Sequence, residues 1–142
     1  MFTAADFYKY CSDNCIDVMP YFGMPYAAAT IRDGKWYCVS LDFSQIKTIK
    51  DLNTILLHES GHLRTGALHK VDSPYQLVAQ AEYRANADSF DHFLPPEEIV
   101  FAMKRGYTEP WQLSEWFNIS EDYINKALHY WKECKGVDFN LV

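Results

Sequence analysis

Hydrophobic and polar positions follow two different spacings along the chain. Between residues 27 and 41, two β-rich runs flank Asp33-Gly34, a dipeptide typical of a tight hairpin turn. Elsewhere, apolar residues recur every three or four positions, which predicts helices. The predicted elements, in chain order, are a helix over 3–14, strands over 27–31 and 36–41, and helices over 48–65, 74–94, 97–105, 110–117 and 121–134. A helix, a small antiparallel sheet and then a run of helices is an α+β pattern.

Capping signals mark several of the predicted helix ends. Thr3 and Ser120 stand directly before helical runs, where a hydroxyl can accept a hydrogen bond from a free backbone N–H. Ser73 followed by Pro74 predicts an N-cap with proline at the first helical position. Gly66 suits the left-handed conformation that ends many helices, so the long central helix is expected to end near residue 65.

Composition narrows the class of protein. Of the 142 residues, 49% are hydrophobic and 23% are charged, which is enough to bury a core. No apolar run approaches the roughly 18 residues of a membrane-spanning helix, and the first residues do not resemble a signal peptide. We therefore expect a cytoplasmic protein with no membrane partner and reduced cysteines. Cys11 and Cys15, four residues apart, are expected to be buried on one helix face.

Residues 107–134 have the helix, turn, helix order of a DNA-binding motif. Its small core would consist of Leu113, Phe117, Ile119, Ile124 and Leu128. However, the chain carries a net charge of −6, and the second helix begins with Glu121 and Asp122, which oppose contact with phosphates. No direct nucleic-acid partner is expected. We predict a domain over residues 1–106 and a helical appendage over 107–142 that packs on it.

The strongest candidate chemistry lies in the central helix. Residues 58–62 read His-Glu-Ser-Gly-His and match the pattern H-E-x-x-H. Histidines four residues apart lie one above the other on a helix, so His58 and His62 can reach one metal ion. Glu59 projects about 100° round the helix from His58 and can contact a water at that metal. Two buried imidazoles and a carboxylate without partners would be costly, which favours a bound cation.

Three residues compete as the third ligand. Gly66 and His69 each come one position later than the glycine and the last histidine of the pattern H-E-x-x-H-x-x-G-x-x-H. Asp88 lies six residues after Glu82, about 240° round the helix, so the two cannot face the same way. Asp88 also follows Arg84 by four residues, the spacing of a solvated ion pair. Glu82 is favoured, because enough chain separates it from His62 for a second helix to return alongside the first.

The helix that carries Glu82 has a stripe of mostly small or apolar residues at three- and four-residue spacing, namely Val78, Glu82, Ala85, Asn86 and Ser89. Small residues let two helices approach closely, so this stripe is expected to pack against the helix of His58 and His62. A carboxylate on such a face needs a compensating charge, which a cation supplies. Asn86, one turn after Glu82, suits a supporting hydrogen bond to Glu82 or to a ligand histidine.

Three blocks together resemble the ImmA/IrrE family of small metallopeptidases: HESGH at 58–62, AEYRAN at 81–86 and FLP at 93–95. The resemblance implies a compact zincin-like fold with one Zn²⁺ per chain. It implies that His58, His62 and Glu82 are metal ligands and that Glu59 is catalytic. It also implies a cytoplasmic phage or mobile-element protein whose protein substrate is a helix-turn-helix repressor. Phe93 replaces a common leucine, and Arg84 stands where many members have a second acid.

Two functions follow from these residues. The first is zinc-dependent hydrolysis of a peptide bond in such a regulator, with Glu59 moving the proton of the attacking water. Tyr83, His69 and His92 are candidates for the donor that stabilises the oxyanion, and the hairpin could offer an edge strand to an extended substrate. The alternative is an anti-repressor that keeps the fold and binds a regulator without hydrolysis. The intact Glu59 favours hydrolysis.

Overall fold

A computed structural model describes residues 1–68 and 74–141. Its helices and strands are α1 (Ala4–Asp13), β1 (Asp17–Pro20), β2 (Ala28–Asp33), β3 (Trp36–Leu41), α2 (Ile49–Thr65), α3 (Tyr75–Phe93), α4 (Pro96–Lys104), α5 (Pro110–Phe117) and α6 (Glu121–His129). Short 3₁₀ turns cover Phe43–Gln45 and Phe139–Leu141, and a π-helical turn covers Tyr130–Cys134. The α+β class is confirmed. No helix within the described ranges is both long enough and apolar enough to cross a bilayer.

The sheet differs from the antiparallel prediction, which was wrong. Its strand order is β1-β3-β2, with β2 antiparallel and β1 parallel to β3. The sequence gives little sign of β1 because the strand has only four residues and ends in Pro20. A proline is tolerated there because β1 lies at the edge of the sheet, where a missing N–H breaks no ladder. Both β1 and β2 are therefore edge strands.

Several predicted helix ends agree with the structure, and others shift. The side chain of Thr48 caps α2, and Gly66 ends it in the left-handed conformation with φ of 67°. The helix α3 begins at Tyr75, so Pro74 is its N-cap and not its first residue as predicted. The predicted cap Ser73 lies outside the described residues. Cys11 is buried but Cys15 is exposed, because α1 ends at Asp13 before it can carry both on one face.

The apolar core is continuous from α1 to the π-helical turn. It includes Phe7 of α1, Leu41 of β3, Leu57 of α2 and Ile124 of α6. The five residues expected to form the small core of the C-terminal helices are all buried. The predicted helix over 121–134 changes to the wider π turn after His129, and this turn buries Tyr130 and Trp131 side by side. Residues 107–141 therefore pack on the rest of the chain and share its core.

The backbones of helices α2 and α3 approach each other unusually closely where the helices cross. A methyl group on Gly61 would lie 2.1 Å from the carbonyl oxygen of Ala85 and 2.7 Å from the hydroxyl of Ser89. The Ser89 hydroxyl donates a hydrogen bond to the carbonyl oxygen of Leu57 at 2.7 Å. This crossing brings the small stripe of α3 against the helix of the two histidines, as the sequence predicted.

We expect Gly61→Ala to destabilise the protein by about 3 kcal/mol, because the added methyl group overlaps backbone atoms that have no room to move. Urea unfolding monitored by circular dichroism measures this loss. Gly106→Ala is the control, because the space around Gly106 is open and an added methyl group meets strain only from the φ of +96°. We expect this control to lose about 1 kcal/mol of stability. A Gly61→Ala variant as stable as the parent chain would contradict the close crossing.

Candidate metal centre

Two histidines of α2 point their Nε2 atoms at a common place. His58 and His62 lie one turn apart, with ring centroids 4.7 Å from each other and Nε2 atoms separated by 3.1 Å. His62 is buried, whereas His58 is half-buried at the surface of the site. The four-residue spacing on a regular helix is sufficient to produce this arrangement.

Glu82 completes the group from α3. Its Oε2 lies 2.7 Å from Nε2 of His58, and its Oε1 lies 3.3 Å from Nε2 of His62. Ligand atoms of the three side chains lie within 4.8 Å of one another, so together they could hold a metal ion. The structure therefore brings together His58, His62 and Glu82, and it does so through the close crossing of α2 and α3.

The other ring nitrogen of each histidine is held by an oxygen. Nδ1 of His58 lies 2.6 Å from Oδ1 of Asn86, and Nδ1 of His62 lies 2.7 Å from the carbonyl oxygen of Ala67. Because both oxygens only accept hydrogen bonds, each Nδ1 carries the proton and donates it. In a neutral ring this leaves the lone pair on Nε2, directed at the shared place beside Glu82. This is the arrangement that metal-bound histidines usually show.

The chemistry of the donors fits a cation. Two neutral Nε2 atoms 3.1 Å apart would direct lone pairs at each other and at a carboxylate. Without a metal, protonation is the remaining way to relieve this repulsion. Burial opposes charge on Glu82, but hydrogen bonds to His58 and His62 outweigh burial and hold the pKa of Glu82 well below its ordinary value. Burial likewise opposes protonation of His62, yet its contacts with Glu82 and Ala67 raise the pKa of His62.

Glu59 lies on the adjacent side of α2 and is 6% exposed. Its Oε2 accepts a hydrogen bond from the hydroxyl of Thr30 in the middle of β2. The negative charge of Glu59 also contributes to the raised pKa of His62. Sequence reasoning missed Thr30, and no local signal marks it, since threonine is an ordinary strand residue.

Tyr123 of α6 is a second residue that sequence reasoning did not place at the site. Its hydroxyl donates to the same Oδ1 of Asn86 at 3.0 Å, and its ring centroid lies 6.5 Å from that of His58. Burial raises the pKa of Tyr123, so the phenol keeps its proton and remains a donor. The available signal is that a buried tyrosine hydroxyl usually needs a polar partner.

Two of the three candidates for an oxyanion donor, Tyr83 and His92, lie among the described residues, and each makes its contacts elsewhere. Tyr83 is 50% exposed and packs toward Tyr130, with ring centroids 6.1 Å apart. His92 is exposed, and its Nδ1 donates to the carbonyl oxygen of Asp88 at 2.9 Å. It lies ten residues after Glu82, about 15 Å along the helix. His69 lies outside the described residues.

Asp88 is not a member of the group formed by His58, His62 and Glu82. Its ion-pair partner is Arg64, and not Arg84 as the sequence predicted. Its carboxylate accepts a hydrogen bond from Nε of Arg64 on α2 at 2.6 Å. Both side chains are largely buried, with 16% and 17% exposed, so this is no solvated pair with Arg84. The guanidinium of Arg64 also lies over the ring of Phe93, 5.0 Å from its centroid. This ion pair links the helices on the far side of their crossing from Glu82.

Comparison with known proteins adds no relative: no protein-family model, curated protein or solved structure matches the chain.

We expect the purified protein to bind about one Zn²⁺ per chain and His58→Ala or Glu82→Ala to lose most of it, because each substitution removes a ligand atom. Elemental analysis after dialysis against low zinc measures the content. His92→Ala is the control, since that histidine is exposed and distant from the ligands. Equal zinc content in the His58→Ala variant and the parent chain would contradict this ligand set.

Asn86→Ala should lower the zinc affinity about 10- to 100-fold, because the ring of His58 loses the oxygen that orients it. Tyr123→Phe should give a smaller loss, since Asn86 remains in place. Competition with a chromophoric chelator measures both affinities. Asn125→Ala serves as the control, because Asn125 is an exposed asparagine on the same helix as Tyr123. If Asn86→Ala bound zinc as tightly as the control, the supporting role of Asn86 would be wrong.

Proposed function

We propose that this chain is a zinc-dependent endopeptidase. One observation carries the proposal: His58, His62 and Glu82 converge on one place, and Glu59, the residue after His58, is buried on the same helix. Two imidazoles and one carboxylate are a donor set that catalytic zinc uses, with one further position left open. The zincin-like fold and the resemblance of the three sequence blocks to the ImmA/IrrE family belong to the same proposal.

Glu59 is the general base of this proposal. Bound zinc would polarise the scissile carbonyl and acidify the attacking water. Glu59 would accept a proton from the water as the water oxygen bonds to the scissile carbonyl carbon, and would pass that proton to the amine as the C–N bond breaks. The hydroxyl of Thr30 donates to one oxygen of Glu59, which holds the carboxylate in one orientation.

The position of β2 supports an extended peptide as substrate. This strand lies at the edge of the sheet, and its Thr30 contacts the base. A peptide that pairs with the free edge of β2 would form main-chain hydrogen bonds without much demand on its side chains. It would also lie next to Glu59, and hence next to the three ligands. A peptide paired with the edge of β2 could therefore also be the substrate of the proposed hydrolysis.

For the identity of the substrate, the proposal relies on the family resemblance. The motif blocks resemble proteins that act on helix-turn-helix repressors in the cytoplasm of bacteria that carry phages or mobile elements. We propose a repressor of this kind as the substrate. A small helix-turn-helix reading frame beside the one encoding this chain would nominate the specific protein to use in an assay.

Glu59→Gln should keep its zinc and lose cleavage of the co-expressed repressor by a factor of at least about 10², because the amide cannot accept the proton. Cleavage is followed by gel electrophoresis and mass spectrometry, and zinc by elemental analysis. Glu97→Gln is the matched control, since Glu97 is exposed in the first turn of α4.

Unchanged cleavage in the Glu59→Gln variant would reject hydrolysis through Glu59. Tight binding of an uncleaved repressor by both the parent chain and this variant would instead support the anti-repressor function, in which the fold binds a regulator without breaking it.

A further inference from the structure

The strand β2 has an open main-chain edge. The N–H of Asp42 donates to the carbonyl oxygen of Ala27 at 2.8 Å, in line with the register of β2 and β3, so these two residues form a hydrogen-bonded pair. Main-chain groups alternate in direction along an antiparallel strand. Those of Ala29 and Ile31 therefore point at β3, whereas those of Thr30 point away from it, toward the edge of the sheet. The main chain at Thr30 can therefore pair with another strand.

Strand β2 lacks most of the features that usually protect an edge strand from pairing. Natural edge strands commonly carry a proline, a bulge, or a lysine or other charge. At the opposite edge of the sheet, β1 has only four residues, which include Asp17 and Pro20. In β2 the register with β3 is continuous over six residues, and positions 28–31 read Ala-Ala-Thr-Ile, with neither a charge nor a proline. This asymmetry favours β2 as the edge that receives a second strand.

The two faces of β2 meet different surroundings. The side chain of Thr30 lies on the inner face, where its hydroxyl donates to Glu59. Side chains alternate along a strand, so Ala29 and Ile31 lie on the outer face. Ile31 is 51% exposed there, and Trp36, on the same face of β3, is 66% exposed. The outer face at this edge is therefore an apolar surface open to solvent.

We propose that Ile31 is a specificity-determining residue, which selects an apolar, β-branched side chain in a peptide bound at the edge of β2. The proposal rests on the substrate geometry proposed above. A peptide antiparallel to β2 forms main-chain hydrogen bonds at Thr30, so its residue opposite Ile31 belongs to a non-hydrogen-bonded pair. Side chains approach most closely in such pairs, and apolar contacts between them stabilise the pairing of the strands.

The class of substrate follows from this alternation. The peptide residue opposite Thr30 directs its side chain to the inner face, and its two neighbours direct theirs to the outer face, opposite Ala29 and Ile31. Threonine itself pairs well with a threonine across two strands. We therefore expect segments with apolar residues two positions apart and a small polar residue between them.

Binding is tested with the Glu59→Gln variant, in which the peptide should stay intact. Its ¹⁵N NMR spectrum is recorded during titration with the peptides Ac-Ser-Xaa-Thr-Xaa-Ser-amide, where both Xaa residues are valine, serine or glutamate. We expect the amide signals of β2 to shift. The valine peptide should bind about fivefold more tightly than either of the other two, because only valine adds apolar contacts on the outer face.

Substitutions on the outer face test the role of Ile31 itself. Ile31→Lys should make the glutamate peptide bind about threefold more tightly than the valine peptide, because opposite charges then face each other across the pair. Met19→Lys is the matched control. Met19 is 54% exposed on the same outer face but lies on β1, at the far edge of the sheet, so the preference for valine should persist.

Absence of shifts in β2, equal affinity for the three peptides, or a preference for valine that survives in Ile31→Lys would overturn the proposal. Loss of the preference in Met19→Lys would also overturn it, since the peptide would then contact the other edge. Cleavage by the parent chain without selection among the peptides would contradict the role of Ile31 and leave the proposed hydrolysis intact. Selective binding by a chain that cleaves none of them would support Ile31 and contradict hydrolysis.

Discussion

The close crossing of α2 and α3 is the constraint on which the rest of the arrangement depends. Helices with ordinary side chains at their contact lie about 8–10 Å apart, but the lack of a side chain at Gly61 lets its backbone approach the carbonyl oxygen of Ala85. Ser89 closes the same crossing through a hydrogen bond to Leu57. One turn before Ala85, Glu82 is thereby placed against both histidines. The glycine inside the H-E-x-x-H motif thus contributes to the centre because it has no side chain to hold the two helices apart.

The parts of this centre that a sequence can predict are those set within one helix. The spacing of His58 and His62 fixes their common face, and Thr48 and Gly66 delimit the helix that carries them. The small stripe on α3 indicated a close helix contact, and Glu82 lies on that stripe. The position of Asn86, one turn after Glu82, followed from the same periodicity. Each of these inferences needs only helical geometry and the size of a side chain.

The remaining parts depend on pairs of residues far apart in the chain. Thr30 meets Glu59 across 29 positions, and Tyr123 meets Asn86 across 37. Local rules also fail where packing offers a better partner: Asp88 pairs with Arg64 on the neighbouring helix instead of with Arg84 on its own. The parallel strand β1 was missed for a related reason, because four residues carry too little periodicity to reveal a strand that the rest of the sheet stabilises.

The support that Tyr123 gives to Asn86 has a consequence for biosynthesis. Translation delivers both histidines and the acid well before it delivers this tyrosine. A nascent chain therefore presents the three donor groups while the phenol that steadies Asn86 is still within the ribosome. If the chain binds zinc as proposed above, any binding before α6 is complete would take place without that hydroxyl. Synthesis thus produces the three donor residues first and the tyrosine that supports Asn86 last.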